Sequence, residues 1–288
     1  MLMTKCRLRD VLIDAARVAG EIQLGHIEDG DISARSKYGG NDTLDMVTIA
    51  DIKTEEALRE FFDRTMPEYN VIGEESGGTY NGNGKVILID PLDCTKSYMA
   101  KLPNFGPIIG IYDKGKNIAG IEHNVTKGIM YVATEESGFE RIGPREEIPK
   151  DAIYLESKVS GQYSFAHKLA KAVKEEFQNY PIIVNSQNVL NKARVFNSEW
   201  KAFFHAGQAR HDIAAVPIFS RLSGVKATDH NGIQYELLNP EIEIERYNSG
   251  KNEAIYSNTI LVSQPDCQER FLEVLNKFKE ELDEARKR

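Results

Sequence analysis

The stretch Val86-Ile-Leu-Ile-Asp-Pro-Leu-Asp-Cys-Thr-Lys-Ser-Tyr98 decides how the rest of the chain is read. Four aliphatic residues run into two aspartates three positions apart. A continuous apolar run of this length reads as a strand covered on both faces, with Asp90 at its C-terminal end. Ligand sites in layered α/β folds gather at such ends. Pro91 is expected to turn the chain at once. Asp90, Asp93 and the Leu92 carbonyl between them make a hard oxygen cluster, suited to Mg²⁺ rather than to zinc or copper. Cys94 to Ser97 reads as the start of a short helix whose backbone N–H groups would suit a phosphate.

Two further acidic ends lie elsewhere. Gly73-Glu74-Glu75-Ser76 closes another short strand, and His211-Asp212 opens an apolar helix. Each alone reads as ordinary helix capping or a solvated turn. Three such ends, each beside small residues, point to one divided metal site.

Outward from these motifs, residues 9–29 carry apolar positions at helical spacing, and 45–51 alternate like a short strand. Residues 52–67 read as a helix capped by Asp51 or Thr54 and ended by Pro67. Residues 36–42 read as a mobile polar loop. Runs at 105–113, 118–124 and 128–134, split by turn-like spacers, predict a largely antiparallel meander. Strands are expected at 152–157 and 181–186 around a helix near 162–178. One helix is expected from Asp212 to Gly224, bent by Pro217, and another over 266–288. A layered mix of sheets and helices is the simplest architecture.

Composition narrows the function. The 288 residues are 41% hydrophobic and 28% charged, enough for a sizeable core. A net charge of −8 argues against a nucleic-acid polymer or a membrane surface as partner. It leaves room for a phosphorylated small molecule, because bound cations reverse the local charge of an acidic pocket. Three scattered cysteines suit a reducing compartment, no apolar run approaches the ~18–20 residues of a membrane span, and the start lacks a signal-peptide core. The expected location is cytoplasmic. Asn124-Val-Thr126 matches a glycosylation sequon and is read as chance.

"GEES", "IDPLDCTKSY" and "HDIAA…SG", in this order, resemble the inositol monophosphatase family of magnesium-dependent, lithium-sensitive phosphatases. The resemblance extends through "GIEHNVTKGIMYVATEESG" and covers about residues 9–225. It implies an α+β or α/β fold, a layered αβαβα sandwich of two sheets and helices, built as one unit over 1–288. A metal- and phosphate-binding half spans about 1–150 and a substrate-side half 151–288. It implies that Glu74, Asp90, the Leu92 carbonyl, Asp93 and Asp212 hold two or three Mg²⁺ ions. Asp51 and Thr95, with Glu74, serve catalysis by orienting and deprotonating water. The N–H groups of Cys94 and Thr95 bind phosphate, Asp45 and Glu75 support the ligands from outside, and a homodimer is possible.

Some positions depart from the family's commonest pattern. Cys94 stands where glycine is usual, and a cysteine is expected to hold ordinary backbone angles. His211 replaces a usual tryptophan and is expected to be a partly buried packing residue. "TKSY" is closer to histidinol-phosphatase and bisphosphate-nucleotidase branches than to the "TTNF" of inositol phosphatases. His205 falls where those enzymes place a hydroxyl-binding glutamate, and with Arg210 it would face the leaving group. Inositol phosphate, nucleotide bisphosphate, histidinol phosphate and sugar phosphates such as fructose 1,6-bisphosphate therefore stay open as substrates. A non-catalytic metal- or phosphate-binding protein on the same fold is the alternative of another class.

Overall fold

The computed structural model describes residues 8–36, 46–156, 163–185, 189–235, 238, 239, 241, 243, 245 and 258–285. Asp45, Cys6 and nearly all of the loop expected at 36–42 lie outside them.

The apolar run of the opening motif belongs to β5 (Lys85–Asp93). It lies inside a seven-stranded sheet with β3 (Asn70–Gly73), β4 (Gly77–Gly78), β6 (Gly106–Asp113), β7 (Lys116–Asn124), β8 (Ile129–Thr134) and β9 (Gly138–Ile142). The order is β4-β3-β5-β6-β7-β8-β9, parallel only between β3 and β5. The expected meander is present, and β9 extends it by one strand.

The run is continuous because both faces are covered. Ile87 and Ile89 pack against α1 (Leu8–Glu28) and α2 (Ile49–Thr65). Val86 and Leu88 point the other way, into a middle layer. There they meet α5 (Asn191–Phe196), α6 (Val216–Ser223) and a second sheet, ordered β11-β10-β12-β14-β13. Its strands are β10 (Ala152–Glu156), β11 (Ile182–Asn185), β12 (Trp200–Gln208), β13 (Lys226–Thr228) and β14 (Asn258–Ser263). Its far face carries α4 (Tyr163–Glu176), α7 (Pro265–Asn276) and α8 (Lys279–Ala285). The layers therefore run helix, sheet, helix, sheet, helix. A small pair, β1 (Ala34–Ser36) and β2 (Met46–Thr48), precedes α2.

Four local expectations are corrected. The chain does not turn at Pro91. β5 pairs onward to Asp93, with Asp90 opposite Ile108 and Asp93 opposite Gly106. Three steps on β5 face two on β6, which is a β-bulge, a position where a strand tolerates proline. Thr48, not Asp51 or Thr54, caps α2. Its hydroxyl accepts from the Asp51 N–H while Asp51 reaches back to the Thr48 N–H, a reciprocal capping box. Residues 211–224 form a 3-10 turn, His211–Ile213, and then α6, because Pro217 lacks an N–H and suits a first helical turn rather than an interior. The C-terminal segment is two helices, broken between Asn276 and Lys279.

Among the described residues no helix is long and apolar enough to cross a membrane. Asn124 of the sequon is fully buried, its amide donating to Pro103 O and accepting from Thr126 and Lys127.

Candidate functional site

Side chains alternate along a strand, so Asp90 and Asp93, three apart, would face opposite sides of a regular sheet. The extra residue of the bulge cancels that offset and brings both carboxylates to one side. Asp90 continues the inward set Val86 and Leu88, and its Oδ1 accepts the Leu92 N–H at 3.0 Å. The turn comes at Cys94, whose φ of 70° and ψ of 42° put it in the left-handed region. The expectation of ordinary angles there is overturned. The bulged strand leads directly into α3 (Thr95–Met99), and the tight junction demands the glycine-like conformation even of a cysteine.

The Cys94 thiol donates to Asp93 Oδ2 at 3.2 Å. Burial, and then Asp93, push its pKa well up, so it stays protonated and a poor nucleophile. Cys94→Ser is therefore expected to turn over within about threefold of the parent. A dead serine variant that still binds metal would contradict this.

Thr95 Oγ1 lies 3.1 Å from Asp51 Oδ1 and 3.1 Å from the Leu92 carbonyl. Asp51 is fully buried, and its other oxygen accepts the Thr48 N–H at 2.8 Å. The capping box thus aims one Asp51 oxygen at Thr95.

Glu74 follows β3, its N–H bonded to Ile89 O of the neighbouring strand. The turn that presents it is held by Glu55 of α2. Glu55 accepts the Glu75 N–H at 2.7 Å and the Ser76 N–H at 3.1 Å, and Arg59 donates to it at 3.0 Å. Gly73 makes this possible, because a Cβ there would stand 2.2 Å from the Glu55 carboxyl carbon.

The third acidic end arrives on the 3-10 turn. Ala209 N–H donates to Asp212 Oδ2 at 2.7 Å. Tyr112 OH donates to Ala214 O at 2.8 Å, and Gly110 lets that carbonyl approach the sheet, since a Cβ would meet it at 2.1 Å.

These elements converge. Asp90, Asp93 and Asp212 can place one oxygen each within 4.8 Å of one another, and so can Glu74 and Asp90 with a nitrogen of His211. Asp90 belongs to both groups. His211 is not a packing residue: it is buried with Nε2 3.3 Å from both Glu74 Oε1 and Asp212 Oδ1. The short 3-10 turn directs it at the acids rather than along an apolar helix face. Glu75 joins neither group, and its backbone serves the Glu55 contact.

Electrostatics follow from the crowding. Burial pushes the Asp93 carboxyl up to about 6; Lys192 opposes this, and Asp212 and Glu74 add to it. Burial pushes Glu122 of β7 up to about 8, again opposed by Lys192. Lys192 of α5 is itself buried; its neighbours Glu122, Asp93 and Asp212 outweigh that burial and hold its ammonium charged. Glu122 lies opposite Ile108, which lies opposite Asp90, so it shares the inward face two strands away.

His205 joins neither acidic group. It is buried on β12, with Nε2 3.8 Å from Glu156 Oε1 of β10. A glutamate therefore stands beside the histidine, supplied by the neighbouring strand. Arg210 Nε lies 3.5 Å from Glu243 Oε1, and its guanidinium sits 5.4 Å over the Tyr235 ring.

Sequence reasoning missed Glu55, Glu122, Glu156 and Lys192. Glu122 carried a signal, a charge at an inward position of "IAGIEHN". Glu55 carried none, since it reads as one more acid on a charged helix.

The family model described as the inositol monophosphatase family matches residues 5–261. An inositol-1-monophosphatase of Caulobacter vibrioides is 27% identical over 241 residues, 77% of this chain and 91% of its own. The chain spans about half the length of several other curated relatives it matches. Nus factor SuhB of Escherichia coli strain K12, 28% identical over 137 residues, aligns over 47% of this chain and 50% of its own. Among solved structures, the Thermotoga maritima IMPase superposes with a TM-score of 0.72 at 21% identity, covering 94% of this chain and 97% of its own.

Proposed function

The chain belongs to the inositol monophosphatase family, and from that premise we propose that it is a Mg²⁺-dependent phosphomonoesterase acting on a small phosphate ester. The observation that carries this reading is the pair of acidic groups sharing Asp90. An all-oxygen set of Asp90, Asp93 and Asp212 has the donor chemistry of a hard divalent ion. Four acids gathered in a protein of net charge −8 would repel a phosphate unless cations came between.

In this reading Glu74, Asp90, the Leu92 carbonyl, Asp93 and Asp212 hold two or three ions. When bound, the ions neutralise the ester phosphate and acidify water. Thr95 and Asp51 act as one unit. The hydroxyl orients the attacking water and passes its proton on to Asp51, whose second oxygen is kept in place by Thr48. The N–H groups of Cys94 and Thr95 receive phosphate oxygens. The water oxygen bonds to phosphorus as the P–O ester bond breaks, and the leaving alkoxide takes up a proton from solvent water, while the proton held by Asp51 returns to solvent. Glu75 supports this set from outside. His205, with Glu156 beside it, and Arg210 bound the leaving-group side. Inositol monophosphate is one candidate, alongside nucleotide, histidinol and sugar phosphates.

The test is a panel of phosphate esters assayed in chelator and in Mg²⁺. Phosphate release is expected to be negligible in chelator and restored by Mg²⁺, with the ranking of kcat/KM naming the substrate. Undiminished turnover in excess chelator would sink the reading.

Asp93 gives the same centre a pH signature. Its folded-state value, about 6, lies above its unfolded value, so its contribution to metal-free stability is present below the unfolded value and lost as pH rises through about 6. Mg²⁺ must displace that proton. The rise in Tm that Mg²⁺ produces is therefore expected to grow from about pH 5 to about pH 7 and then level off. A Mg²⁺-induced shift that shrinks over that range would show that Asp93 is not a ligand.

A further inference from the structure

The two ligand groups that share Asp90 differ in chemistry. One offers three carboxylates, from Asp90, Asp93 and Asp212; the other offers two carboxylates and an imidazole, from Glu74, Asp90 and His211. His211 is only 1% exposed, and its Nε2 is equidistant from Glu74 Oε1 and Asp212 Oδ1 at 3.3 Å. Consecutive residues of one 3-10 turn thus serve different groups, Asp212 the oxygen-only set and His211 the mixed set.

We propose that His211 Nε2 is a ligand of the ion held by Glu74 and Asp90, so that this position selects a first-row transition ion while the Asp90–Asp93–Asp212 position remains suited to Mg²⁺. This rests on the reading of the site as a divalent-metal centre and goes further, assigning the centre two unlike positions. Carboxylate and water ligands suit Mg²⁺, whereas an imidazole raises the preference for the later first-row ions, Fe²⁺ through Zn²⁺. The ligand atoms of Glu74, Asp90 and His211 lie within 4.8 Å of one another, a spacing that a single cation between them can span. No other histidine among the described residues joins either group.

The experiment uses the whole chain. Pulsed EPR of the Mn²⁺-loaded protein is expected to show nitrogen coupling that changes isotope pattern when histidine is ¹⁵N-labelled and disappears in His211→Gln. Calorimetry is expected to show the preference for Co²⁺ over Mg²⁺ falling by about 10–100-fold in His211→Gln. Should that variant fail to fold, the labelled parent protein decides by itself. Mn²⁺ loaded to saturation, so that both positions are filled, without nitrogen coupling overturns the proposal and leaves the Mg²⁺ phosphatase intact. Failure to bind Mn²⁺, Co²⁺ or Mg²⁺ at all overturns the proposal and the metal-centre reading together.

Discussion

Asp90→Asn is expected to lower kcat/KM by on the order of 10³-fold, more than replacement of any other carboxylate in the two ligand groups. Asp90 is the one residue common to both ligand groups. Losing its charge weakens two ion positions at once, each by at least the ~10–100-fold that losing even an outer partner of a ligand costs, and the two losses multiply. Asp93→Asn touches one group and is expected to cost less than Asp90→Asn. The amide keeps the carboxylate's shape, and its oxygen can still accept the Leu92 N–H that Asp90 Oδ1 receives at 3.0 Å. Stability without metal is expected to be unchanged or higher, because a crowded set of acids loses one repelling member. Steady-state kinetics on the two variants, beside thermal melts in chelator, give the comparison. Equal losses in Asp90→Asn and Asp93→Asn would show that Asp90 is not shared.

Glu55→Ala is expected to cost about 3–5 kcal/mol of stability although the residue touches no substrate in the proposed mechanism. Glu55 is 2% exposed, and its carboxylate accepts hydrogen bonds from the N–H groups of Glu75 and Ser76 and from the Arg59 guanidinium. Removing it leaves two backbone donors and a partly buried cation without that acceptor. Glu55→Gln keeps one oxygen and is expected to cost less. The turn these bonds hold is the one that presents Glu74, so Mg²⁺ affinity is also expected to fall by about 10–100-fold. Denaturant unfolding measures the first effect and calorimetry the second. A Glu55→Ala protein as stable as the parent would mean that the turn is held by other contacts.

Much of the architecture was legible because it is written in local periodicity. The unbroken apolar run of β5 announced a strand covered on both faces, and the spaced runs after it announced the meander. The three acidic ends were legible for a similar reason, since carboxylates at the ends of apolar elements stand out against their surroundings. The bulge was not legible. Nothing in "DPLD" states whether proline turns the chain or is absorbed into pairing, because that depends on how Gly106 and Ile108 of another strand line up. The left-handed Cys94 follows from the same uncertainty.

By itself, the sequence determined the strands of the first sheet around β5 and most of the helices, and nominated Glu74, Asp90, Asp93 and Asp212, because each of those inferences draws on residues a few positions apart; β12, β13 and β14 of the second sheet and α5 were not read from it. Only the tertiary structure decided what these acids meet. His211 became their neighbour because Tyr112 and the bare backbone of Gly110 let the 3-10 turn settle on β6. Lys192 became their counter-charge because α5 lies in the middle layer between the sheets. Glu55 became the anchor of Glu74's turn through bonds spanning 20 and 21 residues. A charged side chain looks the same in sequence whether water or another charge will surround it, and the difference is created only when distant segments pack together.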